Sequence, residues 1–220
     1  KDILDNNPLI KEDLGQRYIL TLSHLLRCYI DNKQFKEAAN IIHEIRSLEG
    51  SKGFNSTDLS LRIFTISYNG EFALNHATGN FDASAKLADE VRGRLRDLDD
   101  KVSKEQSILF SYNQAYTYFG IGDYKKALST LNEVLNDNEQ RLRQDIYSFA
   151  RIFNLIIHLE LENYDFLEYV IKSTNRYLSK HDRDYEIENV VIKHLRKLAK
   201  SMNVTQRNEI LSKMKTEVSE

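Results

Sequence analysis

The sequence predicts an all-α protein of about four to five antiparallel helical hairpins with a C-terminal capping helix, and three observations carry that expectation. A single proline, Pro8, and eight glycines in 220 residues leave long uninterrupted segments, which suit helices and not the many turns of a β fold. Apolar residues recur three or four apart over long windows, the spacing that lines one face of a helix. A short polar turn followed by an aromatic residue returns along the chain at a nearly constant distance.

The helical period is clearest between Ile108 and Leu135. Ile108, Tyr112, Ala115, Tyr118 and Phe119 mark one amphipathic helix, and Tyr124, Ala127, Leu128, Leu131, Val134 and Leu135 mark the next. Gly120-Ile121-Gly122-Asp123 breaks them, combining a glycine that tolerates a left-handed backbone with an aspartate suited to cap the following helix. The same break follows a helix through Arg17–Ile30, as Asn32-Lys33-Gln34-Phe35-Lys36-Glu37-Ala38, and one through Leu59–Ala77, as Thr78-Gly79-Asn80-Phe81-Asp82-Ala83-Ser84. It returns as Leu161-Glu162-Asn163-Tyr164-Asp165-Phe166-Leu167. The aromatic can pack into the angle between two helices, and the small residue one turn later lets them approach; Leu167 departs from that pattern. The units so defined run 14–50, 57–99, 104–138 and 141–180, within a single domain over 1–220. A long loop, Gly50–Thr57, separates the first two. A partial unit and cap occupy 184–218: Ile187, Val190, Val191, His194, Leu195 and Leu198 form one helical face, and the charged segment Val204–Val218 closes the array.

The aromatics Phe35, Phe81, Tyr124 and Tyr164 stand 46, 43 and 40 residues apart. With Gly122-Asp123-Tyr124-Lys125-Lys126-Ala127, and with Ala115 and Tyr118 on the preceding helix, this pattern resembles the tetratricopeptide repeat. The resemblance covers roughly 17–178 and is strongest in the third unit; Asn75 and His158 stand where the family favours the tyrosine seen at Tyr29 and Tyr118. A standard repeat has 34 residues, so these units carry lengthened helices or loops, and other helical solenoids with a period near 40 share the spacing. The resemblance implies a right-handed α-α superhelix. Ile3-Leu4-Asp5-Asn6-Asn7-Pro8 resembles the close of a preceding repeat, and the chain opens on Lys1, so the expectation is a C-terminal part of a longer array.

Composition limits the function. With 31 basic and 33 acidic residues the net charge is −2, which provides no general field for a nucleic-acid backbone. The mean hydropathy of −0.53 and the absence of any long apolar run predict no membrane insertion, and a cytoplasmic setting is expected. The single cysteine, Cys28, lies in the run Leu25-Leu26-Arg27-Cys28-Tyr29-Ile30 and reads as a small core residue. His43-Glu44 opens like a helical zinc motif, but Ser47 occupies the place of the second histidine. His181-Asp182-Arg183-Asp184 reads as a solvated loop. Gly120-Ile121-Gly122 with Lys125-Lys126 lacks the buried strand that a phosphate loop follows. Arg92, Arg94 and Arg96 alternate with acids, as on a salt-bridged helix face. No catalytic residues, metal site or cofactor are expected, and the chain reads as a non-enzyme.

If first helices line the concave surface, as the resemblance implies, their outward residues are the candidate contacts. Counting back from each turn aromatic gives Arg27, then Asn69 and His76, then Tyr112, Asn113 and Tyr116; the tyrosines read equally well as packing residues. Aromatic, amide and cationic groups together suit peptide recognition. The fourth unit's first helix, with Phe149, Ile152, Phe153, Ile156 and Leu159, is apolar nearly all round and is expected to be buried on both sides. The expected function is a scaffold that binds a protein or peptide, as part of a larger bacterial-type protein. The alternative is a peptide-sensing domain of a larger signalling or transcription-regulating protein, and self-association through an exposed repeat edge is compatible with either.

Overall fold

The computed structural model describes residues 1–98, 101–139, 141–180, 186–201 and 203–219. Among these, the regular elements are α-helices: α1 Asp2–Asp5, α2 Pro8–Asp13, α3 Gly15–Asp31, α4 Phe35–Ser47, α5 Thr57–Ala77, α6 Phe81–Leu98, α7 Lys104–Gly120, α8 Tyr124–Leu135, α9 Gln144–Glu160, α10 Tyr164–Lys180, α11 Glu186–Leu198 and α12 Val204–Ser219. The short helices α1 and α2, ahead of the first unit, are additions to the expected set. The loop expected over Gly50–Thr57 is present, and Ser56 caps α5 by accepting from the Leu59 amide at 3.3 Å.

The chain gathers into two compact bodies, Lys1–Ile121 and Gly122–Glu220, dividing within the turn of the third expected unit. In the first body α3 packs on α4 and α5, α4 on α5, α5 on α6 and α7, and α6 on α7. The first helices α3, α5 and α7 are therefore successive neighbours, and α4 and α6 are tucked between them. In the second body α9 packs against α8, α10 and α11, and α11 against α10 and α12.

Helical spacing explains what is buried. Tyr18, Ile19, Leu22 and Leu26 of α3 meet Ile41, Ile42 and Ile45 of α4 and Ile63 of α5 in one core, to which the connecting loop adds Phe54. Each such aliphatic side chain stabilises the fold by about 1.5–3 kcal/mol relative to exposure. The α3 and α5 backbones approach closely because Gly70 faces Leu26: a Cβ at Gly70 would lie 2.4 Å from Leu26 Cδ2. The residues one turn after the four aromatics, Ala38, Ser84, Ala127 and Leu167, are all fully buried, so the bulkier Leu167 occupies the same interior position.

The four recurrent turns share one backbone. Lys33, Gly79, Gly122 and Glu162 each adopt positive φ, at 58°, 70°, 82° and 57°. In three of them the next amide reaches back to close the helix: Gln34 N to Tyr29 O at 2.8 Å, Asn80 N to Asn75 O at 2.8 Å, and Asn163 N to His158 O at 3.0 Å. Two of the four thus hold a left-handed conformation without glycine. Asp123 caps α8 as expected, accepting from the Lys126 amide at 3.0 Å.

Several expectations are corrected. Cys28 is exposed, because Leu22 and Leu26 turn inward on α3 and Cys28 falls on the other side. α9 buries ten residues, yet Phe149 remains 55% exposed, so burial is not all round. The arginines of α6 do more than pair with local acids: Arg94 donates to Tyr68 OH at 3.1 Å and lies over the Phe64 ring at 5.0 Å, and Arg92 donates to Tyr118 OH at 2.5 Å. The His181–Asp184 segment lies outside the described residues.

Candidate partner-binding groove

The exposed side of the α3, α5 and α7 layer carries several depressions within the first body, and two of them are bordered by the residues read from the sequence. A cavity of about 500 Å³ is bordered by Leu26, Arg27 and Ile30 of α3, by Ile66 and Asn69 of α5, and by Gln106 of α7, among others. A second, of about 350 Å³, is bordered by His76, Ala77, Tyr112, Asn113 and Tyr116. The six residues read from the sequence therefore divide between the two: Arg27 and Asn69 at the first, His76, Tyr112, Asn113 and Tyr116 at the second.

An amide chain joins them. Asn113 Nδ2 donates to Asn69 Oδ1 at 2.9 Å, and Asn69 Nδ2 donates to Thr65 O at 2.9 Å and to Gln106 Oε1 at 3.2 Å. Both Asn69 donors are used and its oxygen accepts, so this amide is held in one orientation. Among the described residues, Asn113 keeps its own oxygen and a second N–H beyond this contact. The cavity floor is apolar at Leu26, Ile30, Ile66 and Leu109, and its charged pair, Arg27 with Asp31 at 3.5 Å, stands exposed at the rim. Such an exposed pair contributes little to stability, about 0–1 kcal/mol.

The second cavity rests on a polar network linking three helices. His76 Nε2 lies 2.9 Å from Thr117 Oγ1 and 3.1 Å from Ser84 Oγ; those two hydroxyls are 2.9 Å apart, and Thr117 Oγ1 donates to Asn113 O at 2.8 Å. Rings surround the imidazole: Phe72 and Phe81 each at 5.8 Å and Tyr116 at 4.8 Å between centroids. Burial lowers the His76 pKa to about 4, so the imidazole is neutral at pH 7. Burial, with a smaller contribution from Tyr116, raises the Tyr112 hydroxyl to about 12. The α7 backbone can lie against Phe81 because position 120 is glycine; a Cβ there would fall 2.1 Å from the Phe81 ring.

The sequence pattern missed Thr65, Ile66, Gly70 and Gln106. Thr65 and Ile66 lie one helical turn before Asn69 and Gly70, and Gln106 two turns before Asn113, so stepping further back along each first helix reaches them. Among the described residues no group of three His, Cys, Asp or Glu side chains is arranged to hold a metal ion, and no helix is long and apolar enough to cross a membrane. Compared with protein-family models, curated proteins and solved structures, the chain gives no match.

Proposed function

We propose that this chain is a non-catalytic scaffold that binds a protein or peptide segment along the exposed side of α3, α5 and α7, in a tetratricopeptide-like array. The observation that supports this reading most directly is the amide chain from Gln106 through Asn69 to Asn113, which spans two cavities on one layer of helices. An apolar floor under oriented amides suits an extended peptide: side chains bury against Leu26 and Ile66 while amides meet its backbone. The recurrent left-handed turns, the buried small residues one turn later, and the succession of α3, α5 and α7 support the repeat reading.

Affinity capture from a native lysate, with the purified chain beside a variant carrying Arg27→Ala, Asn69→Ala, Tyr112→Ala and Tyr116→Ala, tests this. The expected result is a protein retained by the native chain and lost by the variant, whose helical circular dichroism and melting cooperativity are checked first. Equal retention by a folded variant would move the site off this layer.

A further inference from the structure

The amide chain beside α5 runs in one direction, and that direction leaves donors at one end. Thr65 O is a carbonyl and only accepts, so the Asn69 atom 2.9 Å from it is Nδ2. The second hydrogen of that nitrogen goes to Gln106, whose facing atom at 3.2 Å is therefore its oxygen, and Asn69 Oδ1 receives Asn113 Nδ2 at 2.9 Å. Turning over any one of the three amides would set oxygen against oxygen or N–H against N–H. Among the described residues, both side-chain N–H groups of Gln106 are left without a partner. Gln106 borders the 500 Å³ cavity and also a neighbouring one of about 280 Å³. The smaller cavity is lined by Arg62 and Lys101, and its one carboxylate among the described residues, Asp58, already accepts from Arg62 Nε at 3.0 Å. A third depression shares Arg62 and Ile66 with it and adds Arg17 but no carboxylate. Three cations and one spent carboxylate thus border the two depressions that meet at Ile66, on a chain whose net charge is −2.

We infer that the groove receives an extended acidic segment: one aspartate or glutamate side chain enters the smaller cavity, where Gln106 Nε2, Arg62 and Lys101 donate to it, and an aliphatic side chain two residues away enters the larger. The inference rests on the groove reading above and names the chemistry of its occupant. The two cavities share Thr65, Ile66 and Gln106, so they adjoin. Alternate side chains of an extended segment project to the same side about 7 Å apart, a step that fits adjoining cavities. The apolar floor at Leu26, Ile30 and Ile66 takes the aliphatic group out of water. A carboxylate offers acceptors alone, which is what the unspent Gln106 donors and the two cations call for. A lysine or arginine would bring donors to donors and like charge to like charge. An uncharged amide would satisfy Gln106 and leave the cations unanswered.

The test pans a displayed library of short random segments on the native chain at pH 7, with fixed flanking residues so that neither terminus of a segment is free. Recovered segments should be enriched in Asp or Glu two positions from Leu, Ile or Val. One of them, synthesised with both ends blocked, should bind about tenfold or more tightly than the same segment with that acid replaced by its amide, the factor of one charge-assisted hydrogen bond. Gln106→Glu keeps the oxygen that Asn69 binds and replaces the NH2 by a second oxygen. In a folded variant the acidic segment should therefore weaken about tenfold or more, and its amide counterpart about twofold or less. Enrichment of Lys or Arg at that position, no charge preference, equal binding of acid and amide by the native chain, or equal weakening of both by Gln106→Glu would each overturn the inference. Recovery of no segment would overturn it as well. The variant used for the lysate capture keeps Arg62, Lys101 and Gln106, so the groove reading stands or falls on that experiment alone.

Discussion

The helices α5 and α9 are each packed against several neighbours, yet one asparagine on each, Asn69 and Asn154, is treated in opposite ways. Along α5 the amide of Asn69 is half-buried, with both donors and its oxygen bonded. Along α9, Asn154 is only 9% exposed and its Oδ1 has no hydrogen-bond partner among the described residues, while Phe149 is turned outward. An amide beside a groove is oriented and accountable; an amide inside a layer is a cost of about 1–3 kcal/mol. The difference lies in the surroundings: Asn69 borders a cavity and meets Thr65, Gln106 and Asn113, whereas Asn154 lies inside the packed layer.

The largest effect that sharpens the contrast is a cavity in α9. Leu155 is fully buried, and Leu155→Ala should lower stability by about 2–5 kcal/mol in urea denaturation, with no comparable loss from Asn69→Ala. Equal losses would dissolve the distinction between a packing helix and a groove helix.

Acid acts on α5 next. The folded pKa of His76, about 4, lies below the value of about 6.5 for an unfolded histidine, so the unfolded chain binds the extra proton. The stabilisation is complete above about pH 6.5 and is lost as the pH falls towards 4, up to about 3 kcal/mol in all. His158 on α9 shifts in the same direction through burial. Denaturation midpoints measured between pH 7 and 4 should fall for the native chain, and His76→Gln should flatten much of that slope.

A paired substitution probes the amides themselves. Asn154→Leu should raise stability by about 1 kcal/mol by removing an unpartnered buried acceptor, while Asn69→Leu should lower it by about 1–2 kcal/mol by stranding Asn113 and Gln106. The same sign for both would mean that the two amides are equivalent. The smallest effect concerns the turns: Lys33→Gly and Glu162→Gly should each add about 0.5–1 kcal/mol, since both residues hold positive φ without being glycine. Gly79→Ala at the equivalent turn should subtract a similar amount.

Local features were legible because local chemistry produces them. Gly122-Asp123-Tyr124 announces a left-handed turn, a cap and a packing aromatic from adjacent residues, and stepping by helical turns from Tyr124 reaches Tyr116, Asn113 and Tyr112. Lys33 and Glu162 hid the same turn geometry, since nothing in either side chain asks for positive φ; only their distance from Phe35 and Tyr164 hints at it. Cys28 was misread because an apolar run gives no phase, and it takes Leu22 and Leu26 facing α4 and α5 to decide which side is outward. The His76 triangle was out of reach: Ser84 and Thr117 lie 8 and 41 residues away, and only the packing of α6 and α7 on α5 brings them together.

The outward position of Cys28 has a practical consequence. It is the only cysteine of the sequence, it is exposed, and it follows Arg27, which borders the larger cavity. One maleimide dye therefore attaches at one known address, with no need to remove competing thiols or to alter the lining residues. A solvent-sensitive fluorophore there turns the native chain into its own reporter, so occupancy of the α3 side can be followed as a change in brightness while candidate peptides are titrated.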